Sequence, residues 1–157
     1  MHEITGPDYA DKARFYAELE AQARALVAGE PDRIANAANI AALIFHALPR
    51  INWAGFYFLQ GEELVLGPFQ GKPACVRIPV GRGVCGTAIA ERRSQLVPDV
   101  HAFPGHIACD AASRAEVVVP LADSSGALFG VLDVDSPEPD RFDAADLAGL
   151  ERLARVL

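Results

Sequence analysis

The chain has 157 residues, of which 51% are hydrophobic and 22% charged, a composition that suits one globular domain and excludes a disordered segment. Its formal net charge of −7 repels phosphate backbones and anionic lipid, so neither a nucleic-acid nor a membrane-surface partner is expected. The most apolar stretch, Ala35 to Leu48, is interrupted by Asn36, Asn39 and His46, and the start MHEITGPDYADK has neither a basic opening nor an apolar run; no membrane span or signal peptide is expected, and the location expected is cytoplasmic.

In chain order, residues 8–28 read as a helix that Asp8 caps, with Phe15, Leu19 and Leu26 at helical spacing and Gly29 at its end. Pro31 opens a second helix and Pro49 closes it. Aromatic-rich Asn52 to Gln60 reads as a strand, turned by Gly61-Glu62 into a second strand, Glu63 to Leu66. Cys75 to Pro79 reads as a third strand, Val84 to Arg93 as a short helix and Gln95 to Pro98 as a fourth strand. Val97 to Asp110 carries two prolines and a glycine, which predicts a loop with at most one helical turn. Glu116 to Leu121 and Leu128 to Val134 read as strands joined at Ser124-Ser125-Gly126, and Asp143 caps a last helix with Leu147, Leu150 and Leu153 on one side. No repeat or linker divides the chain. The order predicts a single α+β domain over 1–157: a mostly antiparallel sheet with helices packed on it, and a pocket that the 97–110 loop covers.

Three cysteines in a chain with no export signal argue against a structural disulfide set and direct attention to reactive or metal-binding thiols. Each of Cys75, Cys85 and Cys109 can equally be a small core residue. Cys109 stands apart because it ends a Pro/Gly/His loop, where catalytic groups are often carried, with His101 and His106 as cations that could lower its pKa. Zinc on His101, His106, Cys109 and Asp110 matches no usual ligand spacing. A Cys–His hydrolase is a further option without a local signature.

The carboxylates form a second constellation. Asp133 and Asp135 alternate with Leu132 and Val134, so both acids point to one face of a strand, and Glu116 opens the neighbouring one. Acids on a half-buried face are costly without a cation. Either that face is exposed, or it forms a cage for an ammonium group with an aromatic wall from Trp53 and Tyr57; Phe56 reads as plain core. Gly81-Arg82-Gly83-Val84-Cys85-Gly86 lacks the lysine of a phosphate loop.

Taken together, NWAGFYFL (Asn52 to Leu59), GPFQGKPAC (Gly67 to Cys75), RIPVGRGVCGTA (Arg77 to Ala88), VPDVHAFPGHIACD (Val97 to Asp110) and GVLDVDSP (Gly130 to Pro137) resemble the free methionine-R-sulfoxide reductases, enzymes built on a GAF domain. The resemblance runs from about the second helix to the last. It implies a GAF-like fold and thiol-dependent reduction of free methionine-R-sulfoxide without a cofactor or metal. By the same resemblance Cys109 is the nucleophile, Cys75 the resolving thiol and Cys85 a third cysteine of less settled role. Glu116, Asp133 and Asp135 bind substrate, and Trp53 and Tyr57 line its methyl–sulfur end. The implied course is a Cys109 sulfenic acid, then a Cys75–Cys109 disulfide that thioredoxin or a similar dithiol reopens. A homodimer is left open. The alternative is a small-molecule sensor module on the same fold, with no catalysis.

Overall fold

The structure is a computed structural model that describes residues 8–107, 109 and 111–157. Its elements are α1 (Lys12–Val27), α2 (Arg33–Ala47), β1 (Trp53–Gln60), β2 (Glu63–Gly71), β3 (Arg77–Pro79), α3 (Gly83–Glu91), β4 (Gln95–Val97), β5 (Ala115–Ala122), β6 (Leu128–Ser136) and α4 (Ala144–Ala154), with a 3-10 turn at Val100–Ala102. The strands form one antiparallel sheet in the order β3-β2-β1-β6-β5-β4. The α+β class expected from the sequence is the class observed, and among the described residues no helix is long and apolar enough to cross a membrane.

Helix starts follow side-chain caps. Asp32 accepts from the Ala35 amide and opens α2, so Pro31 lies just outside the helix it was expected to begin. Asp11 accepts from Arg14 and opens α1; Asp8 instead forms the preceding turn, accepting from Ala10. Asp143 caps α4, as its sequence suggests, and Asp146 completes a reciprocal capping box. Strand β2 runs on to Gly71, beyond the expected end at Leu66, because Phe69, Gln70 and Gly71 keep pairing with β1 across an irregularity between Gly55 and Tyr57. Cys75 lies ahead of β3, not within it.

Period-two alternation divides the sheet into two faces with separate cores. Phe56, Val117, Val119, Leu132 and Val134 point to the layer of α1, α2 and α4, where they pack with Phe15, Tyr16, Leu19, Ile40, Ile44, Leu150 and Leu153. Trp53, Tyr57, Val118 and Val131 point the other way and pack with Val84 and Cys85 of α3, with Ile78 and with Val100. Phe56 is therefore core, as read from the sequence. The helix layer is tightly closed: a Cβ on Gly149 of α4 would sit 2.1 Å from the Tyr16 ring of α1.

Candidate active site

The face opposite the helix layer is covered by α3 and by two loops, and between them lies a cavity of about 50 Å³. Sheet register builds its floor. Asp135 of β6 stands directly between Trp53 of β1 and Glu116 of β5, and Asp133 stands between Gly55 and Val118. Three acids that are scattered in sequence thus share one patch, with an indole at its side. Glu116 and Asp133 are buried, at 7% and 6% exposure, which rules out the exposed-face reading of these two acids.

The first covering loop carries Cys75. The Trp53 indole N–H donates to the Lys72 carbonyl at 3.1 Å and the Tyr57 hydroxyl to the Cys75 carbonyl at 2.9 Å, while the Leu66 amide holds the Val76 carbonyl. The two aromatic rings stack, with centroids 5.9 Å apart, and Phe69 stacks on Trp53 at 5.1 Å. Trp53 and Tyr57 therefore do something sequence reasoning missed: their polar tips moor the loop that presents Cys75, while their rings face the cavity. No local motif announces this, since donor and acceptor are nearly twenty residues apart.

The second covering loop is the expected 97–110 lid. It takes one 3-10 turn, capped by Asp99, and is pinned by buried Val100, whose amide donates to the Arg114 carbonyl at 2.7 Å. Gly83, at the start of α3, has φ +60° and donates to the Gly105 carbonyl at 3.2 Å with Ile107 packed beside it. That backbone conformation suits glycine, and it brings α3 and the lid together. The lid sets Cys109 against Cys75, and the two form a disulfide with Cα atoms 5.3 Å apart. Asp110 lies outside the described residues, so the zinc set weighed for this loop is not described in full. His106 borders the cavity and His101 packs against it with ring centroids 6.2 Å apart. Burial, reinforced by His101, pushes the His106 pKa down, so it is no standing cation for the thiol.

Cys85 is the free cysteine, buried in the first turn of α3, and its thiol points to Glu116 Oε1 at 3.9 Å. Burial, with Asp133 and Glu116 beside it, pushes this thiol well up. The same desolvation, compounded by Asp133, raises Glu116 well above the carboxylate range, and burial lifts Asp133 to about 6. Asp133 Oδ1 is buried without a hydrogen-bond partner, and among the described residues no ion pair reaches Glu116 or Asp133. Such a site keeps a proton on Glu116 at neutral pH and favours any cation that enters.

The fold and this site define a class: a GAF domain whose pocket is bordered by a disulfide-bonded pair of cysteines. The model of the GAF domain family matches residues 35–157. Protein YtsP of Bacillus subtilis is 55% identical over 149 residues, spanning 94% of this chain and 91% of that protein. The free methionine-R-sulfoxide reductase of Escherichia coli is 54% identical over 147 residues, 94% of this chain and 88% of its own. The crystal structure of the free methionine-R-sulfoxide reductase of Neisseria meningitidis, in complex with its substrate, superposes with a TM-score of 0.93 at 46% identity, covering 99% of this chain and 93% of that one. The chain belongs to the free methionine-R-sulfoxide reductase family of GAF domain proteins.

Proposed function

We propose that this protein reduces free methionine-R-sulfoxide to methionine with its own thiols, Cys109 acting as nucleophile and Cys75 resolving. The observation that carries the reading is the Cys75–Cys109 disulfide at the wall of a cavity floored by the buried acids Glu116 and Asp133. A sensor module needs no such pair, and a disulfide joining the two covering loops gives a ligand-binding role nothing.

The chemistry follows from the groups present. The Cys109 thiolate attacks the sulfoxide sulfur. A proton from the Glu116–Asp133 pair, where burial keeps it bound at neutral pH, goes to the oxygen. The substrate S–O bond breaks as the protonated oxygen passes to the Cys109 sulfur; methionine departs and Cys109 is left as a sulfenic acid. The Cys75 thiol then displaces it as water, forming the disulfide. Two electrons have passed from two thiols to one sulfoxide. A dithiol donor of the thioredoxin kind returns them by exchange, which suits a reducing compartment such as the cytoplasm. The attacking group is a free thiol, so substrate reacts with the dithiol form. The reading holds for a monomer or a homodimer.

Glu116, Asp133 and Asp135 receive the α-ammonium of the substrate, and Trp53 and Tyr57 line its methyl–sulfur end. A residue within a peptide offers a neutral amide where the free amino acid offers an ammonium. A hydrogen bond to a charged group contributes roughly 1.5–3 kcal/mol, so loss of the ammonium costs at least about tenfold in rate. The test is methionine release from free and N-acetylated methionine-R-sulfoxide at equal concentration. Release from the free form alone is expected; equal rates on both overturn the ammonium assignment.

A further inference from the structure

We infer that Cys85, Glu116 and Asp133 also form a binding site for a borderline-soft divalent cation of the zinc type. One ligand atom from each lies within 4.8 Å of the others, and all three side chains are buried. This is a different set from His101, His106, Cys109 and Asp110, whose spacing matches no usual zinc pattern. The donors come from three elements: α3 supplies the sulfur, β5 and β6 one oxygen each. One thiolate and two carboxylates are a donor set that zinc and cadmium accept, with a fourth position left to water.

Independent of the clustering, Asp133 Oδ1 is buried and lacks any hydrogen-bond partner, and it lines the cavity. A buried oxygen in that condition bears a desolvation cost that a cation removes. The thiol-to-carboxylate distance of 3.9 Å is somewhat wider than the ~3.5 Å that sulfur and oxygen keep around tetrahedral zinc, given bonds of about 2.3 Å and about 2.0 Å. A small shift of the Glu116 side chain closes that difference. Access is by the cavity mouth, where Lys72 and Pro73 are exposed. On binding, the metal–sulfur bond replaces the Cys85 S–H bond and that proton is released, together with the proton shared by the two acids. The ion and the substrate ammonium claim the same carboxylates and exclude one another, a consequence that rests on the substrate reading above.

The test uses the protein in its oxidised form, where Cys75 and Cys109 are tied up and Cys85 is the remaining thiol. Titration with cadmium chloride is expected to give the ultraviolet thiolate-to-cadmium absorption, saturating at one ion per chain. Because changes to mere outer-shell groups already cost 10–100-fold in metal affinity, loss of a direct ligand in Glu116→Gln or Asp133→Asn is expected to weaken binding by more than about tenfold. Cys85→Ala is expected to remove the absorption altogether. No absorption with the oxidised protein, or absorption that survives Cys85→Ala, overturns the site. In Cys75→Ser/Cys109→Ser, which keeps Cys85 and leaves the cavity open, methionine sulfoxide is expected to displace cadmium. Binding that methionine sulfoxide cannot displace upholds the metal site and overturns the ammonium assignment instead.

Discussion

Two buried carboxylate clusters lie on opposite sides of the sheet and are treated in opposite ways. On the helix side, Asp146 is fully buried and fully answered: it accepts from the Tyr9 hydroxyl, from Tyr16 at 2.7 Å, from Lys12 Nζ at 2.8 Å and from the Asp143 amide at 2.9 Å, with the Arg141 guanidinium 3.7 Å away. Arg141 in turn donates to the Pro49 carbonyl and Tyr9. The cluster ties α1 and α4 to the end of α2 and leaves no group waiting for a ligand. On the cavity side, Glu116 and Asp133 are about as deeply buried but face a thiol and each other, with no lysine or arginine paired to them among the described residues. The first arrangement holds the fold together. The second is a cost to the fold that only a bound cation offsets, and such costs are borne where function needs them.

The sharpest way to break this division is at the thiols. Cys109→Ser is expected to abolish methionine release even in a single turnover, with thiol oxidation by added sulfoxide lost as well. One equivalent released by that variant would move the chemistry elsewhere. Cys75→Ser is expected to release about one methionine per enzyme, because the sulfenic acid precedes resolution, and then to stall with a thioredoxin donor. Mass spectrometry of the wild-type oxidised protein should find Cys75 joined to Cys109; a dominant Cys85–Cys109 product would reassign resolution to α3.

The clusters themselves come next. Asp146→Ala strands Lys12 and Arg141, and removing one partner from a buried ion pair costs about 3–5 kcal/mol; urea unfolding is expected to show a loss of that order. Asp133→Asn removes a charge the fold accommodates at a cost, so stability at pH 7 is expected to hold or rise while activity falls at least about tenfold through the lost charged hydrogen bond. If Asp133→Asn destabilised as much as Asp146→Ala, the contrast between the two faces would fail.

The smallest effect is a difference in pH dependence. Burial raises Asp133 from 3.8 to about 6. The folded protein then binds that proton more tightly than the unfolded chain, so this group's contribution to stability falls as pH rises between those two values and stays low above them. Asp143, beside Asp146, is held down to about 2, chiefly by Lys12. Its contribution is present above 3.8 and lost as pH falls through about 2. Wild type compared with Asp133→Asn should therefore lose ground as pH rises toward 6, and wild type compared with Asp143→Asn should lose its advantage toward pH 2. Both comparisons are read from unfolding midpoints, and parallel curves for the two pairs would contradict the assignment.

Much of this fold is written locally. Caps at Asp32 and Asp143, the helical spacing of Leu150 and Leu153, the turn at Ser125-Gly126 and the alternation in GVLDVDSP each depend on residues within a few positions of one another. Local hydrogen bonds and side-chain periods decide such features, so the sequence alone makes them legible. It misleads where a local signal has a close competitor: Asp8 against Asp11, or a strand end at Leu66 against cross-strand pairing that carries β2 to Gly71. That Asp133 and Asp135 share a face is also readable, because a strand's period is two.

What faces them is not. The row Trp53–Asp135–Glu116 exists because β6 inserts between β1 and β5, although β1 and β6 are far apart in the chain. Cys85 meets Glu116 only because α3 covers that face, and Cys109 meets Cys75 only because one loop is moored by Trp53 and Tyr57 and the other by Gly83 and Val100. A motif can mark these residues as chemically able. Whether a carboxylate ends beside a lysine, as Asp146 does, or beside a buried thiol, as Glu116 does, is set by strand order and loop closure, which follow from how the whole chain buries its apolar surface.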